Sequence, residues 1–244
     1  MSEKIPKITT IGFEGPNRVG KSTQSELLKT HLESFGIPVV IVRGDGSRSG
    51  LGTNEGDPKS KAWQEIDENL RVVGRDLEGW NKSSYRIARE LIVWRDRILP
   101  KIAKEAGVGD AVLLIDRTLL ARTLVPRELG APEILYNEDM KPVNPISGRK
   151  KGNTITAQDV APDIIVEFVA PKETLLARLE DGQDEKSQLR RRLLEDRYDW
   201  YLDAHNYLPA ELASNVVRIE ATDNPDSVFQ QVLEVLNERG FLKT

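Results

Sequence analysis

Gly15-Pro16-Asn17-Arg18-Val19-Gly20-Lys21-Ser22 is the stretch from which the rest of this chain is read. It is a complete G-x-x-x-x-G-K-S, and each fixed position has a physical purpose. Glycines let the backbone wrap closely around phosphate oxygens, with successive N–H groups turned inward. A helix beginning at the end of the motif presents its positive end to the same anion. Lys21 is then expected to reach the β- and γ-phosphates, and the Ser22 hydroxyl to ligate Mg²⁺. Residues 15–23, Thr23 included, form the expected nucleotide-binding segment. Coincidence would produce such a match in roughly one sequence in a hundred, and the flanking pattern reduces that further.

That flanking pattern alternates. Residues 8–13, 38–42, 111–115, 163–168 and 216–219 are short, apolar and rich in β-branched side chains, as buried parallel strands are. Helical periodicity lies between them. Leu27, Leu28, Leu32 and Phe35 share a face before Gly36, and 61–76, 84–106, 172–179, 189–207 and 226–238 complete the set, with Ser83 a candidate cap. Strand–helix alternation behind a phosphate loop predicts an α/β, P-loop NTPase three-layer sandwich: a five-stranded parallel sheet with helices on both faces. Two segments break the rhythm, 44–58 and the proline-rich 126–161. No linker divides the chain, so 1–244 reads as one domain, with an insert loop around 126–161.

The third apolar run ends on Asp116-Arg117. A carboxylate at the carboxyl end of a buried strand beside a phosphate loop is where a Mg²⁺-organising group belongs; its plainer reading is a charged pair that ends a strand. Other chemistries drop out. There is no cysteine, hence no disulfide, thiolate metal site or cysteine nucleophile, and His31 and His205 are too few and too far apart for a metal cluster. The net charge of −4 describes no general polycation for nucleic acid. No apolar run nears the roughly 18 residues of a membrane span, and the opening MSEKIPK has no signal-peptide core, so a cytoplasmic protein is expected.

Taken with these residues, the run Phe13-Glu14-Gly15-Pro16-Asn17-Arg18-Val19-Gly20-Lys21-Ser22-Thr23-Gln24 resembles the opening of thymidylate kinases. Asp116-Arg117, Pro162-Asp163 with the strand after it, the 171–180 helix and the 224–235 helix resemble later parts of that family. The resemblance implies ATP as phosphoryl donor, Mg²⁺, a nucleotide acceptor, a small lid around 180–197 and a homodimer. It implies that Arg18 acts on the transferring phosphoryl group, that Arg117 and Arg43 bind the acceptor phosphate, and that Asp116 organises Mg²⁺ or that phosphate. Arg97, or Arg95 if the alignment slips, would meet the acceptor base. The departures fall on the acceptor side. Asn17 replaces an aspartate, Arg43 is followed by Gly44-Asp45-Gly46, and Thr118-Leu119-Leu120-Ala121-Arg122 follows Asp116-Arg117.

Phosphoryl transfer is mostly alignment and charge stabilisation, and one placed arginine is worth roughly 10³–10⁵ in rate. Arg18 competes for that part with Arg190, Arg191 and Arg192, which are read either as lid residues or as a solvated helix face paired with Glu195 and Asp196. Arg197 reads as an ion-pair partner. Glu14 is a base if the acceptor is a hydroxyl; for a phosphate acceptor it holds an arginine or a Mg²⁺-bound water. Trp94 and Tyr85 are either base-stacking or core aromatics. Three activities follow: a nucleoside monophosphate kinase, a kinase for a hydroxyl of a nucleoside or of a base in DNA, and a non-kinase nucleotide switch, the last opposed by the lack of an N-K-x-D motif.

Overall fold

A computed structural model of the protein describes residues 6–43, 88, 90–118, 160–179, 185–203 and 213–242. Strands β1 (Lys7–Glu14), β2 (Val39–Arg43), β3 (Asp110–Asp116), β4 (Ile164–Val169) and β5 (Val216–Glu220) form one sheet in the order β2-β3-β1-β4-β5. All four pairings are parallel, with β1 in register from Lys7↔Asp110 to Phe13↔Asp116 against β3 and from Ile11↔Ile164 against β4. Asp163 fastens the start of that second pairing, because its carboxylate accepts from the Thr10 N–H at 2.7 Å.

The central strands β1, β3 and β4 are mostly apolar and buried because both faces are covered, whereas the edge strand β5 is only partly buried. Along β3, Ala111, Leu113 and Ile115 enter one core with Leu91, Trp94, Leu99 and Ala103. Val112 and Leu114 enter the opposite core with Leu28 and Leu32 of α1 (Lys21–Ser34) and Val228, Val232 and Leu236 of α5 (Pro225–Glu238). The spacing of those three α5 residues is one buried stripe. Asn224 caps that helix, its side-chain oxygen accepting from Asp226 N and Ser227 N. Two further helices, α3 (Lys172–Ala177) and α4 (Glu185–Asp203), place Leu175 and Leu194 in the same core. The expected parallel five-stranded sheet with helices on both faces is the observed one.

The helix expected over 84–106 is not uniform. Trp94–Ile98 is a π-helical turn, closed by the Leu99 N–H on the Trp94 carbonyl, before α2 (Leu99–Glu105). Pro100 is the cause: it has no N–H for the Asp96 carbonyl and its ring crowds that oxygen, so the preceding turn widens. Helix α4 also begins earlier than expected, at Glu185 rather than 189. Strands β1, β2, β3 and β5 each run one residue beyond the apolar pattern, onto Glu14, Arg43, Asp116 and Glu220. Polar side chains hid these strand ends, and three of them lie where ligands bind such sheets. The expected helix 61–76, the segments 44–58 and 126–161, and Ser83, Tyr85 and His205 lie outside the described residues.

Candidate functional site

The site is built at the carboxyl ends of β1 and β3. Gly15 turns the chain off β1 with φ +131°, and a Cβ there would stand 2.3 Å from the Phe168 carbonyl oxygen of β4. Only glycine lets the loop lie that close to the neighbouring strand. Val19 anchors the far side of the loop in the core, and α1 starts at Lys21, directly after Gly20. The Lys21 side chain is 6% exposed, and its ammonium donates to the Gly15 and Pro16 carbonyls, both at 2.8 Å. Burial pushes its pKa down to about 8, and the nearby Arg117 cation adds to the fall, while Glu14 and Asp116 oppose it. An ammonium satisfied only by its own loop's carbonyls is poised for exchange onto phosphate oxygens, which are stronger acceptors.

From β3, Asp116 reaches the loop: Ser22 Oγ donates to its Oδ2 at 2.6 Å. The next residue leaves the strand in a left-handed turn, Arg117 at φ +72°, with its N–H on the Phe13 carbonyl at 2.9 Å. That turn carries the Arg117 guanidinium to the Asn17 side-chain oxygen, 2.5 Å away. Thr118 then folds under β1 and donates to Glu14 Oε1. Gly12 makes room for it, since a Cβ there would lie 2.4 Å from the Thr118 methyl and 2.9 Å from Pro162 Cγ. Glu14, Lys21, Ser22, Asp116 and Arg117 are therefore one cluster, assembled from the carboxyl ends of β1 and β3 and the first turn of α1.

Not every expected residue joins it. Arg18 is exposed, at φ +67°, and faces an adjoining cleft. Arg43 ends β2 opposite Asp116 in the sheet register. Arg97 is exposed on the π-helical turn, and Arg95 pairs with Asp96 at 2.7 Å. Trp94 is a core residue, 2% exposed, rather than a stacking platform. Arg190 is half-buried, Arg191 and Arg192 exposed, along α4. The His31 ring stands edge-on to Phe35 and Phe229.

The cleft beside the loop, about 240 Å³, is lined by Arg18, Thr23, Gln24, Arg178, Asp223 and Pro225 among others. Arg178 donates to the Ala221 carbonyl at 2.8 Å, and Gln24 Nε2 to the Pro225 carbonyl at 2.9 Å. Sequence reading gave Arg178 and Gln24 no role, although both stand in segments quoted for the resemblance. What was missing is the position of the β5–α5 connection beside them, which no local pattern encodes. Mg²⁺ suits the oxygens present: Ser22 and Asp116 offer a hydroxyl and a carboxylate side by side, and this ion ordinarily combines one or two protein oxygens with phosphates and water. Among the described residues no group of three or more acidic or histidine side chains forms an all-protein cage.

A parallel sheet in this order, with a glycine loop running into α1 and a β3 carboxylate bonded to the loop serine, is the architecture of a P-loop NTPase. No family model matches the chain. Two curated proteins are similar to it, the thymidylate kinases of Rickettsia bellii strains RML369-C and OSU 85-389. Each is 26% identical over 242 residues, covering 96% of this chain and 98% of the relative. Among the described residues no helix is long and apolar enough to cross a membrane.

Proposed function

We propose that the protein transfers the terminal phosphoryl group of ATP to a nucleoside monophosphate, with dTMP the first acceptor to test. The observation that carries this reading is the meeting of Lys21, Ser22 and Asp116 with a second cation, Arg117, which follows Asp116 at the carboxyl end of β3 and is bonded to the loop through Asn17. A nucleotide hydrolase needs the first three; a further cation fixed beside them suits a second anionic substrate. The full-length similarity to two thymidylate kinases supports the same class.

In this reading the triphosphate lies in the loop amides of 15–22, with its base toward the cleft of Gln24 and Arg178. Lys21 leaves the Gly15 and Pro16 carbonyls for the β- and γ-phosphates. Ser22 and Asp116 would hold Mg²⁺, which would supply charge neutralisation. Arg117 holds the acceptor phosphate so that one of its oxygens lies in line with the γ-phosphorus. The bond from that phosphorus to the bridging oxygen breaks, the new one to the acceptor oxygen forms, and ADP leaves with the bridging electrons. A phosphate dianion needs no base, and Glu14 is already engaged by Thr118. Arg18, free to swing at the loop's outer edge, stabilises the charge in transit, and the segment around 180–197 serves as the lid.

The test is Mg²⁺-dependent ADP release against a panel of nucleoside monophosphates. Stimulation by dTMP is expected, with Lys21→Ala lowering turnover on the order of 10²–10³-fold. No stimulation by any monophosphate would overturn the reading. Stimulation only by nucleosides or oligonucleotides, lost in Glu14→Gln, would replace it with a hydroxyl kinase.

A further inference from the structure

Glu14 is the last residue of β1, and Gly15, the first of the loop, follows it directly. Its buried carboxylate lies near enough to Lys21 to oppose the fall of that lysine's pKa, so it acts as an anion beside the phosphate loop. A carboxylate in that place can take the proton of a nucleophile that attacks a γ-phosphorus, and water is always present as one. Thr118 bears on whether it does so. The threonine is buried, and its hydroxyl donates to Glu14 Oε1, since an ionised carboxylate only accepts. A carboxylate that accepts such a bond away from solvent keeps its charge more firmly and takes up a proton less readily. Gly12 leaves the room that brings Thr118 under β1, and the two residues before it are bonded to the loop through Ser22 and Asn17.

We propose that Thr118 is a positioning residue that withholds Glu14 from water: by occupying Oε1, its hydroxyl keeps the carboxylate from acting as a base, and ATP bound without an acceptor is protected from hydrolysis. The inference rests on the ATP-binding part of the reading above and is indifferent to which acceptor follows. The step restrained is the bonding of a water oxygen to the γ-phosphorus as the bond to the bridging oxygen breaks. The water proton would pass to Glu14, and ADP would leave with the bridging electrons. Transfer to a phosphate dianion needs no such base, so the restraint acts on the wasteful reaction and not on the productive one.

A bond that merely satisfies a buried carboxylate and a bond that restrains it predict opposite signs. In the first case losing the hydroxyl lowers stability and leaves hydrolysis equal or slower; in the second, hydrolysis rises. Phosphate release from Mg-ATP without any acceptor would be measured on the full chain, on Thr118→Val and Thr118→Ser, and on Thr118→Val combined with Glu14→Gln. Thermal midpoints would confirm folding. Thr118→Val should hydrolyse about tenfold faster than wild type, the scale of one hydrogen bond to a charged group. Thr118→Ser, which keeps the hydroxyl, should stay near wild type, and the double variant should lose the rise. No rise in Thr118→Val, an equal rise in Thr118→Ser, or a rise that survives Glu14→Gln overturns the proposal. If Thr118→Val does not fold, Gly12→Ala, which displaces the same hydroxyl without removing it, gives the deciding rate. A panel in which no monophosphate accepts the phosphoryl group would sink the transfer reading alone, since the acceptor-free rates still judge Thr118.

Discussion

The loop at 15–22 and the turn at 116–118 meet in one site, yet they are shaped by different means. The loop takes its form from backbone freedom: Gly15 and Gly20 have positive φ, and Gly15 lies against the Phe168 carbonyl where no side chain fits. The turn has no glycine. Arg117 is bent to φ +72°, a conformation that costs a bulky residue about 1–2 kcal/mol. It is held there by three side-chain bonds to β1 and the loop, Ser22 to Asp116, Arg117 to Asn17 and Thr118 to Glu14. A shape made by glycine is written locally and survives in a motif. A shape made by tertiary bonds depends on partners about a hundred residues away.

Substitutions test this contrast most strongly at Gly15. Gly15→Ala combines a disfavoured φ with a clash against rigid backbone, and about 4 kcal/mol of stability should be lost in denaturant unfolding. A loss under 1 kcal/mol would mean that the loop's shape does not depend on glycine.

Lys21 measures what the loop gives up for its function. Its folded pKa of about 8 lies below the ordinary 10.5. Below pH 8 the ammonium is charged in both states and the cost of burying it is present in full. Between pH 8 and 10.5 the unfolded chain holds more protons, so stability rises with pH across that window. Relative to Lys21→Met, the wild type should gain about 3 kcal/mol between pH 8 and 10.5. Parallel stability curves for the two proteins would remove the buried charge from the account.

On the turn side, Gly12→Ala should cost about 2 kcal/mol, less than Gly15→Ala, because the Thr118 methyl it meets is a side chain and can move. The same shift should detach Thr118 from Glu14, so proton exchange at Thr118 or a crystal structure of the variant would show the broken bond. An intact bond at full stability would show that Gly12 is not what admits Thr118. The smallest effect belongs to Arg18, a non-glycine residue at φ +67° inside the glycine loop. Arg18→Gly should raise the unfolding free energy by about 1 kcal/mol while phosphoryl transfer falls, a residue retained for charge against its backbone preference. Loss of stability instead would mean that the side chain supports the loop.

What was legible along the chain follows the same division. Apolar runs and their helical intervals were enough for the five parallel strands, because burial on both faces demands continuous apolar side chains wherever the sheet passes. The loop was legible as a motif because closeness to phosphate restricts its residues directly. The strand ends at Glu14, Arg43 and Asp116 were shortened by one, since polar residues at the end of an apolar run look like the start of a loop. Pro100 was visible, but its widening of the preceding turn was not read from it.

The amino-acid sequence by itself determined the strand segments, the phosphate loop and the adjacent places of Lys21 and Ser22 at its end, because each depends on neighbours a few residues apart. Only the tertiary structure decided that Asn17 holds Arg117, that Thr118 closes on Glu14 through the space left by Gly12, and that Gln24 and Arg178 share a cleft. Those contacts join residues far apart along the chain. Their geometry is set by how the strands stack in order and register, which no local pattern carries.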